Sequence, residues 1–172
     1  MINFEHIEKE LEAFKKYVVE NSKSNLLKAK KKASGRLYDS IDVEQTTSLS
    51  LNFIMEEYGE YLDKGVNGKK KKWGAPFSYT NKMPPTKSLD KWLVLKGIAP
   101  RDKGKFTDRK QLNYLIRKSI YETGLKTTNF FTEPFETAFK RLPDEVVQAY
   151  GLDIESLLKT SIPKLICGTN QL

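Results

Sequence analysis

The side chains that most often perform catalysis are few in this sequence, and their positions suit packing better than chemistry. The single histidine, His6, lies beside the apolar positions of a predicted first helix, and the single cysteine, Cys167, lies near the C-terminus. One cysteine allows neither an intrachain disulfide nor a multi-cysteine zinc site. We therefore expect His6 to lie on a helix surface or to be partly packed, and we do not expect Cys167 to act as a nucleophile.

Carboxylates are the remaining side chains that could support a reaction, because clustered acids hold the Mg²⁺ ions of nucleases. Asp144 and Glu145 follow a proline, as the opening of such a motif would, but the next acid, Glu155, is not followed by an acid-x-lysine pattern. The sequence also contains no phosphate-binding loop of the Gly-Lys-Ser/Thr or G-x-G-x-x-G type. We therefore expect a protein that is not an enzyme and that has no metal or cofactor.

The most basic run in the chain is Lys69, Lys70, Lys71 and Lys72, and Trp73 follows it directly. Lysines attract phosphate and an indole ring offers a stacking surface, a combination that single-stranded nucleic-acid binders use. The same run could be a solvated loop, or it could contact an acidic neighbour in an assembly. The whole chain carries 30 Lys and Arg against 22 Asp and Glu, a formal net charge of +8, which fits an anionic partner without identifying it.

The elements that position these residues follow from the spacing of apolar side chains. Spacings of three and four predict a first helix over residues 3–22. The residues with this spacing are Phe4, Ile7, Leu11, Phe14 and Val18. Six basic residues and no acid follow between residues 23 and 36, where the helix is expected to resume until Gly35 ends it. Residues 1–36 are thus a predicted N-terminal helical, basic segment.

Residues 41–64 switch from an alternating to a helical rhythm. Alternating apolar and polar residues over 41–44 and 48–55 predict two strands joined as an antiparallel hairpin. The helical spacing of apolar residues over 56–64 predicts a short helix. We expect it to pack on this hairpin through Tyr58, Tyr61 and Leu62. If the Tyr61 ring is fully buried, truncation of this residue to alanine should lower the free energy of unfolding by about 3–5 kcal/mol.

Residues 66–86 lose all periodicity and form a predicted long basic loop. Loops of this length inside a compact domain are usually functional or become ordered on binding. We therefore expect this loop to be mobile in the isolated chain and ordered in an assembly. Residues 76–80 within it could form a short edge strand.

Several helices complete the predicted fold. The fold class is therefore α+β, with a long N-terminal helix, a small antiparallel sheet built on a hairpin, and several C-terminal helices. A core domain would span residues 37–160, and residues 161–172 would form a C-terminal tail. The helix signals are a periodic stretch over 87–96, the N-cap residues Thr107, Thr132 and Asp153, and the terminating residues Gly124, Pro143, Gly151 and Pro163.

The stretch from residue 58 to residue 69 resembles a signature of tailed-phage proteins. Its tyrosine, aliphatic, acidic and glycine positions are Tyr58, Tyr61, Leu62, Asp63, Gly65 and Gly68. This order is similar to that of head–tail joining, or tail-completion (neck), proteins of the HK97 gene product 10-like family. In that family a variable loop, a proline and a helix with a tryptophan follow, as Pro85 and Trp92 do here.

Two further pieces of the family pattern occur in the same order. A helix that ends in Ile-x-x-x-Gly is matched by the stretch that closes at Gly124, and a Phe-aliphatic-x-Pro step is matched by the stretch that contains Phe131 and Pro134. The likeness covers residues 37–160. The long lysine-rich first segment and the insertion of four lysines depart from the family pattern.

The resemblance implies a structural virion protein. Such proteins form a sixfold or twelvefold ring in the neck, around the channel that DNA crosses, between the portal or connector and the tail proteins. It implies assembly in the host cytoplasm and no membrane, and no apolar run here approaches the ~20 residues of a membrane span. The alternative is a nucleic-acid-binding accessory protein that uses the basic loop 66–86. A hydrolase dependent on Asp144 and Glu145 is a third class.

Overall fold

A computed structural model has the α+β fold that the sequence predicts. It describes residues 4–29, 34–47, 50–98, 101–102, 105–106 and 108–161. Among these residues, no helix is both long enough and apolar enough to cross a membrane. The predicted C-terminal tail lies almost wholly outside the described residues, as do the lysines at positions 30–32.

The described residues form seven helices and seven strands. The helices are α1 (Glu5–Lys28), α2 (Arg36–Ser40), α3 (Tyr58–Lys64), α4 (Thr86–Leu95), α5 (Arg109–Thr123), α6 (Thr132–Phe139) and α7 (Leu142–Ser161). The strands are β1 (Asp42–Thr47), β2 (Ser50–Ile54), β3 (Val66–Asn67), β4 (Phe77–Ser78), β5 (Arg101–Asp102), β6 (Lys105–Phe106) and β7 (Gly124–Leu125).

The strands pair in three small sheets. β1 and β2 form the predicted antiparallel hairpin, with Val43 opposite Phe53. β3 lies between β4, to which it is parallel, and β7, to which it is antiparallel. β5 and β6 form a further antiparallel pair. The β3–β4–β7 sheet was not predicted, apart from the possible edge strand over residues 76–80, which contains β4.

Helix α1 buries the apolar stripe that its sequence predicts, with Ile7, Phe14 and Val18 all in the interior. The prediction for its end is wrong, because α1 stops at Lys28 and Gly35 does not end it. Gly35 instead has a φ of 88° and precedes the first residue of α2. Glycine adopts this left-handed backbone conformation without steric cost, and so the chain turns there into a second helix.

Two apolar clusters form the core, and α1 contributes to both. The first cluster is Leu26, Leu37, Ile41 and Phe130, and the second is Phe14, Val18 and Ala138 with partly buried aromatic rings around them. The ring centroids of Phe14, Phe53 and Phe135 lie 5.7–5.9 Å from one another in edge-to-face arrangements. The N-terminal helix therefore packs in the same core as the hairpin and α6.

Helix α3 turns a different face to the core from the one predicted. Tyr58 and Tyr61 are each 46% exposed, whereas Gly59 and Asp63 are buried. Leu62 is partly buried, but against the first core cluster, which contains no residue of β1 or β2.

Helix α3 approaches its neighbours closely at Gly59. A Cβ at this position would lie 2.8 Å from side-chain atoms of both Leu37 and Met55, so a larger residue would require those side chains to move. Tyr61 instead lies on the ring of Phe77, with a centroid distance of 4.7 Å. Because the ring of Tyr61 is half exposed, Tyr61→Ala should lower the free energy of unfolding by well below the ~3–5 kcal/mol expected for a buried aromatic residue.

Several predicted helix ends are also corrected. Thr107 lies outside the described residues, and Asp108 is the N-cap of α5, accepting a hydrogen bond from the Lys110 backbone at 3.1 Å. Pro143 begins a helix instead of ending one: α7 starts at Leu142 and continues through Gly151 without a break. Proline suits the first turn because the backbone N–H it lacks would have no partner there.

Asp153 was predicted to cap the last helix but lies inside α7 and caps α1. Its carboxylate accepts hydrogen bonds from the backbone N–H groups of His6, at 3.1 Å, and Ile7, at 3.3 Å. The Nδ1 atom of His6, a half-exposed residue as expected, lies 2.6 Å from the same carboxylate. Burial alone would raise the pKa of Asp153, but these hydrogen bonds outweigh that effect and lower the pKa.

The contact between Asp153 and α1 predicts a pH-dependent loss of stability. Because the folded protein lowers the pKa of Asp153, its carboxylate stabilises the fold above its unfolded pKa of about 3.9. This contribution disappears as the pH falls through the lower folded value. We expect Asp153→Asn to melt at a lower temperature than the wild type at pH 7, and the difference to shrink as the pH falls below the unfolded pKa.

Thermal unfolding followed by circular dichroism at a series of pH values tests this expectation. Glu136→Gln, which neutralises an exposed acid of α6, serves as the control and should melt close to the wild type at every pH. A difference between Asp153→Asn and the wild type that stays constant down to pH 2 would contradict the prediction.

Candidate functional site

Two positions of the sequence signature, Asp63 and Phe131, meet at a buried carboxylate. Asp63, at 3% exposure, is near the end of α3, and its Oδ1 accepts hydrogen bonds from the backbone N–H groups of Phe131, at 2.8 Å, and Thr132, at 3.3 Å. Its Oδ2 accepts a hydrogen bond from the Thr132 hydroxyl. Asp63 thus caps the N-terminus of α6, where an anion is favoured by the helix dipole.

The same contact is reinforced by the backbone around Asp63. The carbonyl oxygen of Asp63 accepts hydrogen bonds from the N–H groups of Thr128 and Asn129, both at 3.0 Å. The hydroxyl of Thr128 donates to the carbonyl of Leu62 at 2.7 Å. These bonds hold the chain leading into α6 against the last turn of α3.

Gly68 and Gly124 let two backbone segments come closer than any side chain would permit. A Cβ at Gly68 would overlap the carbonyl oxygen of Glu122 and the backbone nitrogen of Gly124. A Cβ at Gly124 would overlap the carbonyl oxygen of Val66, and this residue also has a φ of 74°. Gly124 ends α5, as predicted. Gly65, at the end of α3, is buried beside them.

The remaining signature residues are only partly brought together. Pro85 precedes the first residue of α4, Pro134 is buried in the first turn of α6, and Phe131 packs against both core clusters. Trp92 lies on α4 and is partly exposed, while its neighbour Leu93 is the buried residue. The signature therefore describes mainly packing positions, with Tyr58, Tyr61 and Trp92 at the surface.

The four-lysine segment is fixed to the end of α5 by its backbone. The N–H group of Lys69 donates to the Tyr121 carbonyl at 2.9 Å, and the N–H groups of Lys70 and Lys71 donate to the Glu122 carbonyl at 2.8 and 3.2 Å. These bonds give the segment defined partners within one chain. The expectation that the loop is mobile in the isolated chain and ordered in an assembly stays a prediction.

Asn67 organises the rest of this segment, a role that the sequence analysis missed. The buried side chain of Asn67 accepts hydrogen bonds from the backbone of Trp73, at 2.7 Å, and Ala75, at 3.2 Å. It also donates to the Ala75 carbonyl at 2.6 Å and the Ser78 hydroxyl at 3.1 Å. Asparagine side chains commonly replace backbone partners in turns, and an Asn between two glycines was the available signal.

The lysine side chains and Trp73 form an exposed basic surface on this fixed backbone. Lys70 pairs with Glu122 at 2.9 Å, and this hydrogen bond lowers the pKa of Glu122. The Nζ atom of Lys71 lies 4.1 Å from the centroid of the Trp73 ring, and Trp73 Nε1 donates to the Thr123 carbonyl at 2.7 Å. The indole is therefore held in place, with a cation already over one ring face.

The three acids considered for a metal-dependent nuclease lie on one helix, but Glu155 is far from Asp144 and Glu145. Asp144 and Glu145 are in the first turn of α7, and Glu155 pairs with Lys159 near the other end. Ten residues of helix separate Glu145 from Glu155, about 15 Å along the axis. Across the described ranges, no group of three or more His, Cys, Asp or Glu side chains could hold a metal ion.

We expect Asp63→Ala to destabilise the protein more than any change at the exposed tyrosines of α3. The substitution leaves the N–H groups of Phe131 and Thr132 without their acceptor, which should lower the free energy of unfolding by about 2–3 kcal/mol. Urea unfolding measures this directly. Glu60→Ala, on the exposed side of the same helix, removes only a surface ion pair with Lys64 and should change stability by less than about 0.5 kcal/mol. Equal losses in the two variants would refute the capping role.

No family model matches this chain, and comparisons with curated proteins and with solved structures also find no match. The function must therefore be inferred from the residues themselves and from the contacts between them.

Proposed function

We propose that this chain is a structural protein of the neck of a tailed bacteriophage. In this proposal, copies of it form a closed ring around the DNA channel and join portal-side proteins to tail-side proteins. The supporting observation is that separate pieces of the sequence resemblance are in contact in the fold. Asp63 binds the backbone at Phe131, and Gly68 packs on Gly124. These contacts join positions more than 50 residues apart in sequence, as one packed unit of the kind the resemblance implies would require.

Surface composition also favours an assembly. Large apolar side chains remain about half exposed or more on the helices α4, α5 and α7. Single exposed apolar residues are ordinary, but groups of them commonly mark protein–protein contacts. A ring subunit needs two different complementary faces, because its contacts are head-to-tail and must close by rotation.

The alternative, a nucleic-acid-binding accessory protein, is favoured by one observation. The side chains of Lys69 to Lys72 are all exposed on a backbone held by hydrogen bonds. Two features weigh against it: Lys70 is paired with Glu122, and Lys71 lies over the Trp73 ring on which a base would stack. A basic surface of this kind would also suit loose, sequence-independent contact with DNA passing through a ring.

The proposed ring predicts a discrete assembly. We expect the purified full-length chain, alone or mixed with its portal-side partner, to form a closed oligomer of six or twelve copies, because a heterologous interface that closes gives one fixed number. Native mass spectrometry and sedimentation velocity measure the number of copies. A chain that remains monomeric in both conditions would contradict the proposal.

Replacing Lys69 to Lys72 by serine separates the two candidate functions. If the chain is a ring subunit, the variant should assemble as the wild type does, because the fixed backbone does not depend on these side chains. If the chain binds nucleic acid through the segment, its affinity for a single-stranded oligonucleotide should fall steeply and lose most of its salt dependence. A control variant removes the same charge from Lys9, Lys16, Lys28 and Lys140, exposed lysines on α1 and at the end of α6. Loss of assembly in the Lys69 to Lys72 variant alone would count against the ring proposal.

A further inference from the structure

One side of α7 carries an apolar stripe that no described residue covers fully. Val147 is 71% exposed, and Tyr150 and Leu158 are about half exposed. Their positions, together with the half-buried Ile154 between them, follow the three- and four-residue spacing of one helix face. The buried side of the same helix carries Ala149 and Asp153, which face α1. An apolar stripe beside the side that already packs is the arrangement expected of a second contact surface.

The surroundings of this stripe are acidic. Residues 132–161, which make up α6 and α7, carry six Asp and Glu against three Lys and Arg, in a chain that is basic overall. Asp144 and Glu155 are both exposed and lie within about 80° of Val147 around the helix axis. Glu155 is paired with Lys159, so the negative charge at the edge of the apolar stripe comes chiefly from Asp144.

The two helices α4 and α5 and the segment that joins them, here called the α4–α5 hairpin, have the opposite charge. Residues 86–123, from the start of α4 to the end of α5, carry ten Lys and Arg against four Asp and Glu. Large apolar side chains are exposed here as well, with Val94 and Leu95 on α4 and Tyr114 and Leu115 on α5 each more than half exposed. The hairpin is thus basic overall and has exposed apolar side chains on both of its helices.

Buried polar contacts hold the two helices of this hairpin together. The buried Asn113 side chain of α5 donates to the Asp90 carboxylate at 2.7 Å and to the Thr86 carbonyl at 3.2 Å. Arg117 Nε donates to the Pro84 carbonyl at 2.6 Å. These bonds fix α4 on α5, so the hairpin offers a preorganised surface to a partner.

We propose that the α7 face of one copy docks on the α4–α5 hairpin of the next copy. This inference rests on the proposed ring and names the two surfaces that build it. Charge decides the pairing: two α7 faces would oppose acid to acid, and two hairpins would oppose base to base, so each face selects the other. The two faces belong to different elements of one chain, and the contact is therefore head-to-tail, as closure of a ring requires.

Crosslinking of mixed chains tests the pairing. In full-length chains with Cys167→Ser, one chain carries Val147→Cys and a second carries Leu115→Cys. With a short bis-maleimide reagent, we expect crosslinked dimers when the two chains are mixed and none when either chain is alone. A second pair, Leu158→Cys with Leu95→Cys, should behave in the same way. Dimers from the Val147→Cys chain alone would show that two α7 faces meet, and would overturn the proposal.

An acid placed in the stripe tests its energetic role. Val147→Asp and Leu158→Asp should each raise the concentration at which the oligomer half-dissociates about tenfold or more, because central apolar positions dominate interface affinity. Leu152→Asp is the matched control: its residue is 49% exposed on the same helix, but it lies about 140° around the axis from Val147. Circular dichroism checks that each variant is folded. Equal effects of Val147→Asp and Leu152→Asp would overturn the proposal.

Failure of this inference can be told apart from failure of the ring itself. If the wild-type chain assembles into a closed oligomer while the cysteine pairs do not crosslink and the acid substitutions leave assembly unchanged, the ring stands and this interface is wrong. If the wild-type chain stays monomeric with its portal-side partner, the proposed function fails, and the interface fails with it.

Discussion

The hydrogen bonds between the Asp63 carboxylate and the N-terminus of α6 are the interaction on which the arrangement of the fold most depends. A buried carboxylate is costly unless every oxygen finds donors, and here both oxygens do. Because Asp63 and Phe131 are brought together, α3 lies against the segment that leads into α6. α6 in turn presents Phe135 to the ring of Phe14 on α1. One polar contact therefore sets the position of an apolar core that neither helix could form alone.

Capping by a different helix recurs at the other end of the molecule. α1 and α6 both lack a capping side chain at their own N-terminus, and each receives a carboxylate from elsewhere, Asp153 for α1 and Asp63 for α6. The free N–H groups of a helix end must find acceptors somewhere. When the acceptor comes from another helix, the local stability of each helix depends on the tertiary fold, and so the two parts of the chain should unfold together.

The difference between what could and could not be predicted from sequence follows from this design. Periodicity sufficed for the buried face of α1 and for the β1–β2 hairpin, because apolar spacing reports burial directly. Periodicity failed for α3, where the side of the helix at Gly59 packs closely on its neighbours and Tyr61 lies at the surface. The N-cap signal at Asp153 was misleading. A single acid before an apolar run resembles a local N-cap whether it caps its own helix or another. The role of Asn67 was missed because three of its four hydrogen bonds are to backbone groups, which apolar periodicity does not report.

The positive and negative charges of this basic chain lie on different parts of the sequence. The excess of positive charge is concentrated on residues 23–36, the segment from Lys69 to Lys72 and the α4–α5 hairpin, whereas α6 and α7 are acidic. A protein that only bound nucleic acid would gain nothing from an acidic helix with exposed Val147 and Leu158. A ring subunit does gain, because opposite faces that attract each other and repel themselves specify a head-to-tail contact. In the proposed ring, the apolar residues left out of the core would complete their burial between copies.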